Sequence, residues 1–134
     1  MDTLLNSSNS FLIEPTKTTP HVAFHSDLSL LEIKGVSNLP DTLNFYAPVF
    51  TFIEYLQSFG INHINVHLAL LYFNSGSAKA LFMILKKIEG LSDTVTCDIK
   101  WFCDEEDEDM IENVQVLNET LNLNIELVTG KLNE

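Results

Sequence analysis

The stretch Leu70-Leu71-Tyr72-Phe73-Asn74-Ser75-Gly76-Ser77-Ala78-Lys79-Ala80-Leu81-Phe82-Met83-Ile84-Leu85 decides how this chain folds. It opens as an apolar strand, breaks over Asn74 to Ser77, and resumes with helical periodicity. Ala78, Leu81, Leu85 and Ile88 recur at spacings of three and four, which sets them on one helix face. Asn and Ser side chains satisfy the unpaired N–H groups of a first helical turn, so Asn74, Ser75 and Ser77 all read as caps. Gly76 is read as letting the backbone turn sharply. A hydroxyl at this point also lies at the positive end of the helix dipole, where a negative group is stabilised. Ser75 or Ser77 is therefore a physically suitable phosphoacceptor; the plainer reading is that both serines only cap.

Upstream of the break, Ile61 to Phe73 is the strongest strand. Ile64, Val66, Leu68, Leu70 and Tyr72 form one apolar face, while the other changes from polar to apolar, as if only its second half were covered. His63 and His67 share that second face. On a strand they stand about 13 Å apart, too far to hold one zinc ion. A small ligand-binding site or enzyme pocket near His63 and His67 is the rival to a signalling role.

The flanking segments follow the same logic. Residues 1–10 are polar and expected to be disordered, and Phe11 to Ile13 reads as an edge strand or a segment tucked against the body. Thr16 to Pro20 reads as a linker. His21 to His25 and Leu28 to Lys34 predict a hairpin with Ser26-Asp27 as its two-residue turn. After a loop to Thr42, Phe45, Val49, Phe52, Ile53 and Leu56 trace a helix face ending near Gly60, and Pro48 predicts a displaced start or a local bend. Tyr46, Phe50 and Tyr55 lie off that stripe, either packed by the chain itself or presented to a partner.

Downstream, a helix with Lys86 and Lys87 in its last turns stops at Gly90, and Thr94 to Phe102 reads as a strand. The acidic run Asp104 to Asp109 lacks the central glycine of a calcium loop and directly precedes a helix bearing Met110, Val114, Leu117 and Leu121, so it reads as helix capping. Asn124 to Val128 closes the domain as a short strand, and 129–134 is a tail.

Composition narrows the function. The chain has 134 residues, 46% of them apolar, which suits one domain, here 11–128, with one core. A formal charge of −12 disfavours nucleic acid and anionic membrane surfaces and leaves a protein partner with a basic contact surface. No segment reads as a membrane span or a secretory signal. Cys97 and Cys103, six residues apart on one strand, are about 20 Å apart and read as free thiols of a reducing cytoplasm. No nucleophile–base–orienter set and no phosphate-binding loop are present, so no catalytic residue and no cofactor are expected.

Four segments together resemble the SiaC family of bacterial regulatory phosphoproteins. They are Ile13-Glu14-Pro15-Thr16 with Thr19-Pro20; Ile33-Lys34-Gly35 through Pro40-Asp41 to Phe45-Tyr46-Ala47-Pro48; Tyr72-Phe73-Asn74-Ser75-Gly76-Ser77-Ala78-Lys79; and Trp101-Phe102 with Asp104 to Met110. The resemblance implies a mixed α/β fold like the STAS-type anti-sigma-factor antagonists, a sheet of four to five strands with helices packed on it. It implies a phosphoacceptor at the helix start, here Ser75 where the family usually has Thr, with Ser77 as second candidate. Asn74, Gly76 and Lys79 would support the phosphate. It further implies a cognate protein kinase, a PP2C-like phosphatase, and a target bound by the unmodified form, in the best-known case a diguanylate cyclase of cyclic-di-GMP signalling. Tyr46, Phe50 and Tyr72 are the residues expected on the partner surface.

Overall fold

In a computed structural model, residues 10–130 are described, and over them apolar residues at period two build one sheet. Its strands are β1 (Phe11–Ile13), β2 (His21–His25), β3 (Leu30–Ser37), β4 (His63–Phe73), β5 (Thr96–Asp104) and β6 (Ile125–Gly130). They lie side by side in chain order, β1 to β3 antiparallel and β3 to β6 parallel. The helices α1 (Thr42–Glu54), α2 (Ser75–Gly90) and α3 (Glu108–Thr120) are the three parallel crossovers. Each step moves one place in the same direction, so right-handed crossovers bring all three helices to one face. Val22, Phe24, Leu31, Ile33, Ile64, Val66, Leu68, Leu70, Ile99 and Trp101 point toward them and form one buried cluster with Phe52, Ile53, Leu81, Leu85 and Val114. Among the described residues the other face carries no helix, and it presents polar side chains such as His21, Glu32, His67 and Lys100 together with the apolar Ala69, Leu71 and Phe102.

The mixed sheet with helices on it is as expected, with six strands rather than four to five. Phe11 is buried and pairs with Phe24, so β1 is an edge strand, held by only three residues. The hairpin turn is longer than the sequence suggested: His25 pairs with Leu30, and Ser26 to Ser29 form two successive turns. Ser29 takes a left-handed φ of 48°, and Leu28 within the turn is exposed. α1 runs without interruption through Pro48, and its N-cap Asp41 makes no side-chain capping bond. The helix gives way to a 3-10 turn before Gly60, whose φ of 78° closes it. β6 extends to Gly130, two residues past the expected boundary. The expectations for 1–9 and 131–134 lie outside the described residues.

One irregularity reshapes the end of β4. Gly35 pairs with Leu70 but Val36 pairs with Tyr72, so Leu71 is an extra residue, a β-bulge. Past it the alternation changes phase. Tyr72, expected on the core face with Leu70, is exposed, and Phe73 turns inward to stack edge-on against Trp101. The second half of the outer face is not covered either, since Leu71 is 56% exposed. Both thiols are free. Cys97 lies on β5 with its pKa pushed up to about 11, mainly by burial and then by Asp98; burial likewise raises Cys103.

Candidate functional site

The carboxyl ends of the parallel strands deliver three helix starts to the same edge of the sheet. At α3, the Asp107 carboxylate accepts from the Met110 N–H at 3.1 Å and Glu108 and Asp109 fill the first turn, the capping role read from the acidic run. At α2, the N-cap is Asn74. Its Oδ1 accepts from the Ser77 N–H at 2.9 Å, and its Nδ2 donates to the Leu39 carbonyl at 2.9 Å and, more distantly, to Asn38. The Asn74 N–H donates to the Ser37 carbonyl. One side chain therefore starts the helix and ties it to the loop between β3 and α1.

Ser75 is the first residue of α2 and is exposed, and its hydroxyl makes no hydrogen bond among the described residues. Around it the first-turn N–H groups of a helix point outward at the positive end of the dipole. Lys79 is exposed one turn along on the same side. Ser77 is a different case. It is fully buried, its hydroxyl donating to the Ser37 carbonyl at 2.8 Å and lying 2.7 Å from Ser37 Oγ, which in turn lies 2.7 Å from the Tyr46 hydroxyl. This chain of three hydroxyls leaves Ser77 without solvent access in the folded chain, which counts against it as the second acceptor. It also corrects the reading of Tyr46. The residue is fully buried, and burial raises its pKa against the opposing bond from Ser37, so it belongs to the core and not to a partner surface.

Gly76 has no positive φ, so it serves a close approach rather than a turn. A Cβ there would come within 3.1 Å of Thr42 Oγ1, so the starts of α1 and α2 are in close contact at this point. Of the residues expected on the partner surface, Tyr72 is exposed and Phe50 is half-buried against the core. Between α2 and α3 a shallow groove is lined by Phe73, Ala78, Leu81, Phe82, Trp101, Val116 and Leu117, with the polar Asn113 among them. The Trp101 indole N–H lies buried there without an acceptor among the described residues.

His63 and His67 are not brought together. His63 Nε2 bonds to Asp98 at 2.7 Å, while the His67 ring stands edge-on to Phe102 with centroids 5.2 Å apart. The two histidines that do converge are His21 and His25, on Glu32. Sequence reasoning missed them because the signal is split between strands: two histidines at i and i+4 on β2, and a carboxylate on β3 that only the register places between them.

A family model described as SiaC family regulatory phosphoprotein matches residues 13–130. Among curated proteins, none matches the sequence. Among solved structures, apo-SiaC from Pseudomonas aeruginosa is similar at a TM-score of 0.81 and 20% identity, covering 90% of this chain and 99% of that one. SiaC in the crystal structure of the diguanylate cyclase SiaD with its activator SiaC, from the same organism, is similar at a TM-score of 0.82 and 21% identity over 90% and 99% of the two chains.

Proposed function

Because the chain belongs to the SiaC family of regulatory phosphoproteins, we propose that it is a partner switch controlled at Ser75. The unmodified protein docks on a target through the surface around the α2 start, including Tyr72, and phosphorylation of Ser75 releases the target. The observation that carries this reading is the contrast between the two serines of one helical turn: Ser75 exposed, Ser77 sealed beneath it. A phosphate on Ser75 adds about −1.5 to −2 charges. Within the protein the helix N-terminus, the Asn74 cap and Lys79 accommodate it, so the fold survives modification. At an interface the same charge is costly: a penalty of roughly 3 kcal/mol would weaken binding about a hundredfold.

The chemistry of transfer belongs to the partners, a cognate protein kinase and a PP2C-like phosphatase, so the chain acts without catalysis of its own, in the cytoplasm where the kinase finds ATP. The target class proposed is a diguanylate cyclase, by analogy with the SiaC that activates SiaD. The groove between α2 and α3 suits an apolar side chain of that target. The test pairs two variants. Ser75→Ala should bind the target like the unmodified protein and take up no phosphate from the kinase, as read by intact mass. Ser75→Asp should lose target binding by about a hundredfold with an unchanged melting temperature. Full binding by Ser75→Asp, or phosphate on Ser75→Ala, would overturn the assignment.

A further inference from the structure

On the face of the sheet without helices, His21 and His25 stand either side of Ala23 on β2, and the register sets Glu32 of β3 directly opposite Ala23. Both rings lean inward over that carboxylate. Nε2 of His21 lies 3.4 Å and Nε2 of His25 2.9 Å from the same Glu32 oxygen. The three ligand atoms all lie within 4.8 Å of one another, on side chains that are 25%, 42% and 17% exposed. We infer that His21, His25 and Glu32 form a binding site for a divalent first-row transition metal ion, zinc in the first instance.

The donor set favours that class of ion. Two neutral imidazoles and one carboxylate suit zinc and its neighbours, whereas magnesium and calcium seek oxygen ligands almost throughout. Three protein ligands leave a fourth tetrahedral position for water or for a group from a partner. Bonds of about 2.0 to 2.1 Å in a tetrahedron set the ligand atoms about 3.3 Å apart, so both distances to the Glu32 oxygen are already close to what an ion needs, and the two ring nitrogens, within 4.8 Å of each other, have to draw together. Side chains this exposed, on the open surface of a hairpin, close that gap by rotating about χ1 and χ2. The His–Glu hydrogen bonds now present would be replaced by bonds to the ion.

Lys34 opposes the ion. Its Nζ lies 3.3 Å from the other Glu32 oxygen and, being 47% exposed, it can swing into solvent at a cost to affinity. The register sets His67 of β4 beside Glu32 and Lys100 of β5 beyond it, which adds positive charge on the far side. Affinity in the micromolar range follows, not the tight binding of a structural zinc. The site sits on the opposite face of the sheet from the helices, so it stands or falls independently of Ser75.

The experiment is calorimetric titration of the tag-free full-length chain with zinc chloride at neutral pH, with cobalt(II) absorption as a report on tetrahedral geometry. The expected result is one zinc per chain. His25→Ala and Glu32→Gln should each weaken it about tenfold or more, and Lys34→Ala should tighten it. His63→Ala should leave it unchanged, and magnesium should give no heat. His21→Gln serves as a second ligand variant should His25→Ala alter folding, with circular dichroism recorded for each. No binding at several hundred micromolar zinc would overturn the site. So would unchanged affinity in His25→Ala and Glu32→Gln, which would move the ion to the acidic run 104–109 or a thiol.

Discussion

Replacing Asn74 by alanine separates the two jobs of the side chain that starts α2. The lost cap, Asn74 Oδ1 accepting from the Ser77 N–H, costs about 1 kcal/mol. The lost bond from Nδ2 to the half-buried Leu39 carbonyl costs about another 1 kcal/mol. The longer contact to Asn38 is exposed and contributes little. At an unfolding entropy of roughly 2.1 cal/mol/K per residue, a loss of about 2 kcal/mol lowers the melting temperature of this chain by about 7 °C. Asn74→Asp keeps an acceptor for the Ser77 N–H and adds charge favourable at a helix start by about 0.3 to 1 kcal/mol, losing only the tie to Leu39. It should therefore stay close to the parent protein. Thermal and urea unfolding of the two variants side by side decide the matter. Equal destabilisation of both would show that the tie to Leu39, and not the cap, holds the helix start. A loss below about 0.5 kcal/mol in Asn74→Ala would refute the reasoning for both bonds.

Three further outcomes follow from the same geometry. Ser77→Ala should cost about 1 kcal/mol in urea unfolding, because Ser37 keeps Tyr46 and the Asn74 N–H as partners, and it should leave phosphate uptake intact. Ser77→Asp buries a carboxylate among Ser37 and Tyr46 and should cost more than about 3 kcal/mol, against near-neutrality for Ser75→Asp. Stability should fall on acidification from neutral pH. The His67 pKa is held below its ordinary value by burial, Lys100 and Lys34 against the opposing pull of Glu32, so the unfolded chain binds the extra proton and stability declines as pH drops below the unfolded value near 6.5. Glu32 adds to this at lower pH: burial alone would raise its pKa, but His25, Lys34 and His21 together outweigh that and hold it low, so its contribution is lost as pH falls through the folded value. His67→Asn should flatten the upper part of that profile, as read by urea midpoints between pH 7.5 and 5.5.

The parts of the fold legible in the sequence are those where one periodicity runs unbroken. Ile64 to Leu70 alternate cleanly, and Leu81, Leu85 and Ile88 repeat at helical spacing, so the strand and the helix could be read directly, with Asn74 as one of three candidate caps between them. Tyr46 could not. It lies off the apolar stripe of α1, and its hydroxyl is met by Ser37, nine residues away in sequence, which in turn bonds Ser77. In local pattern the two serines of the α2 start were equivalent and the resemblance alone ranked Ser75 first; the packing of Ser77 against Ser37 separates the exposed one from the buried one. For Gly76 the need was visible and its cause was not, since the crowding comes from another helix. The convergence of His21, His25 and Glu32 required a register that the misplaced turn at Ser26-Asp27 would have shifted.

The surplus residue at Leu71 acts on the strand as a frameshift acts on a reading frame. Ironing the bulge out while keeping Leu71 would restore strict alternation from Leu70, hand Tyr72 to the interior and expel Phe73, leaving Trp101 without its neighbour. Deleting Leu71 together with the bulge would leave Tyr72 outside and Phe73 inside, because the pairing of Val36 with Tyr72 already skips that residue. A graft of this switch onto a regular strand could therefore drop the odd residue and keep the loop.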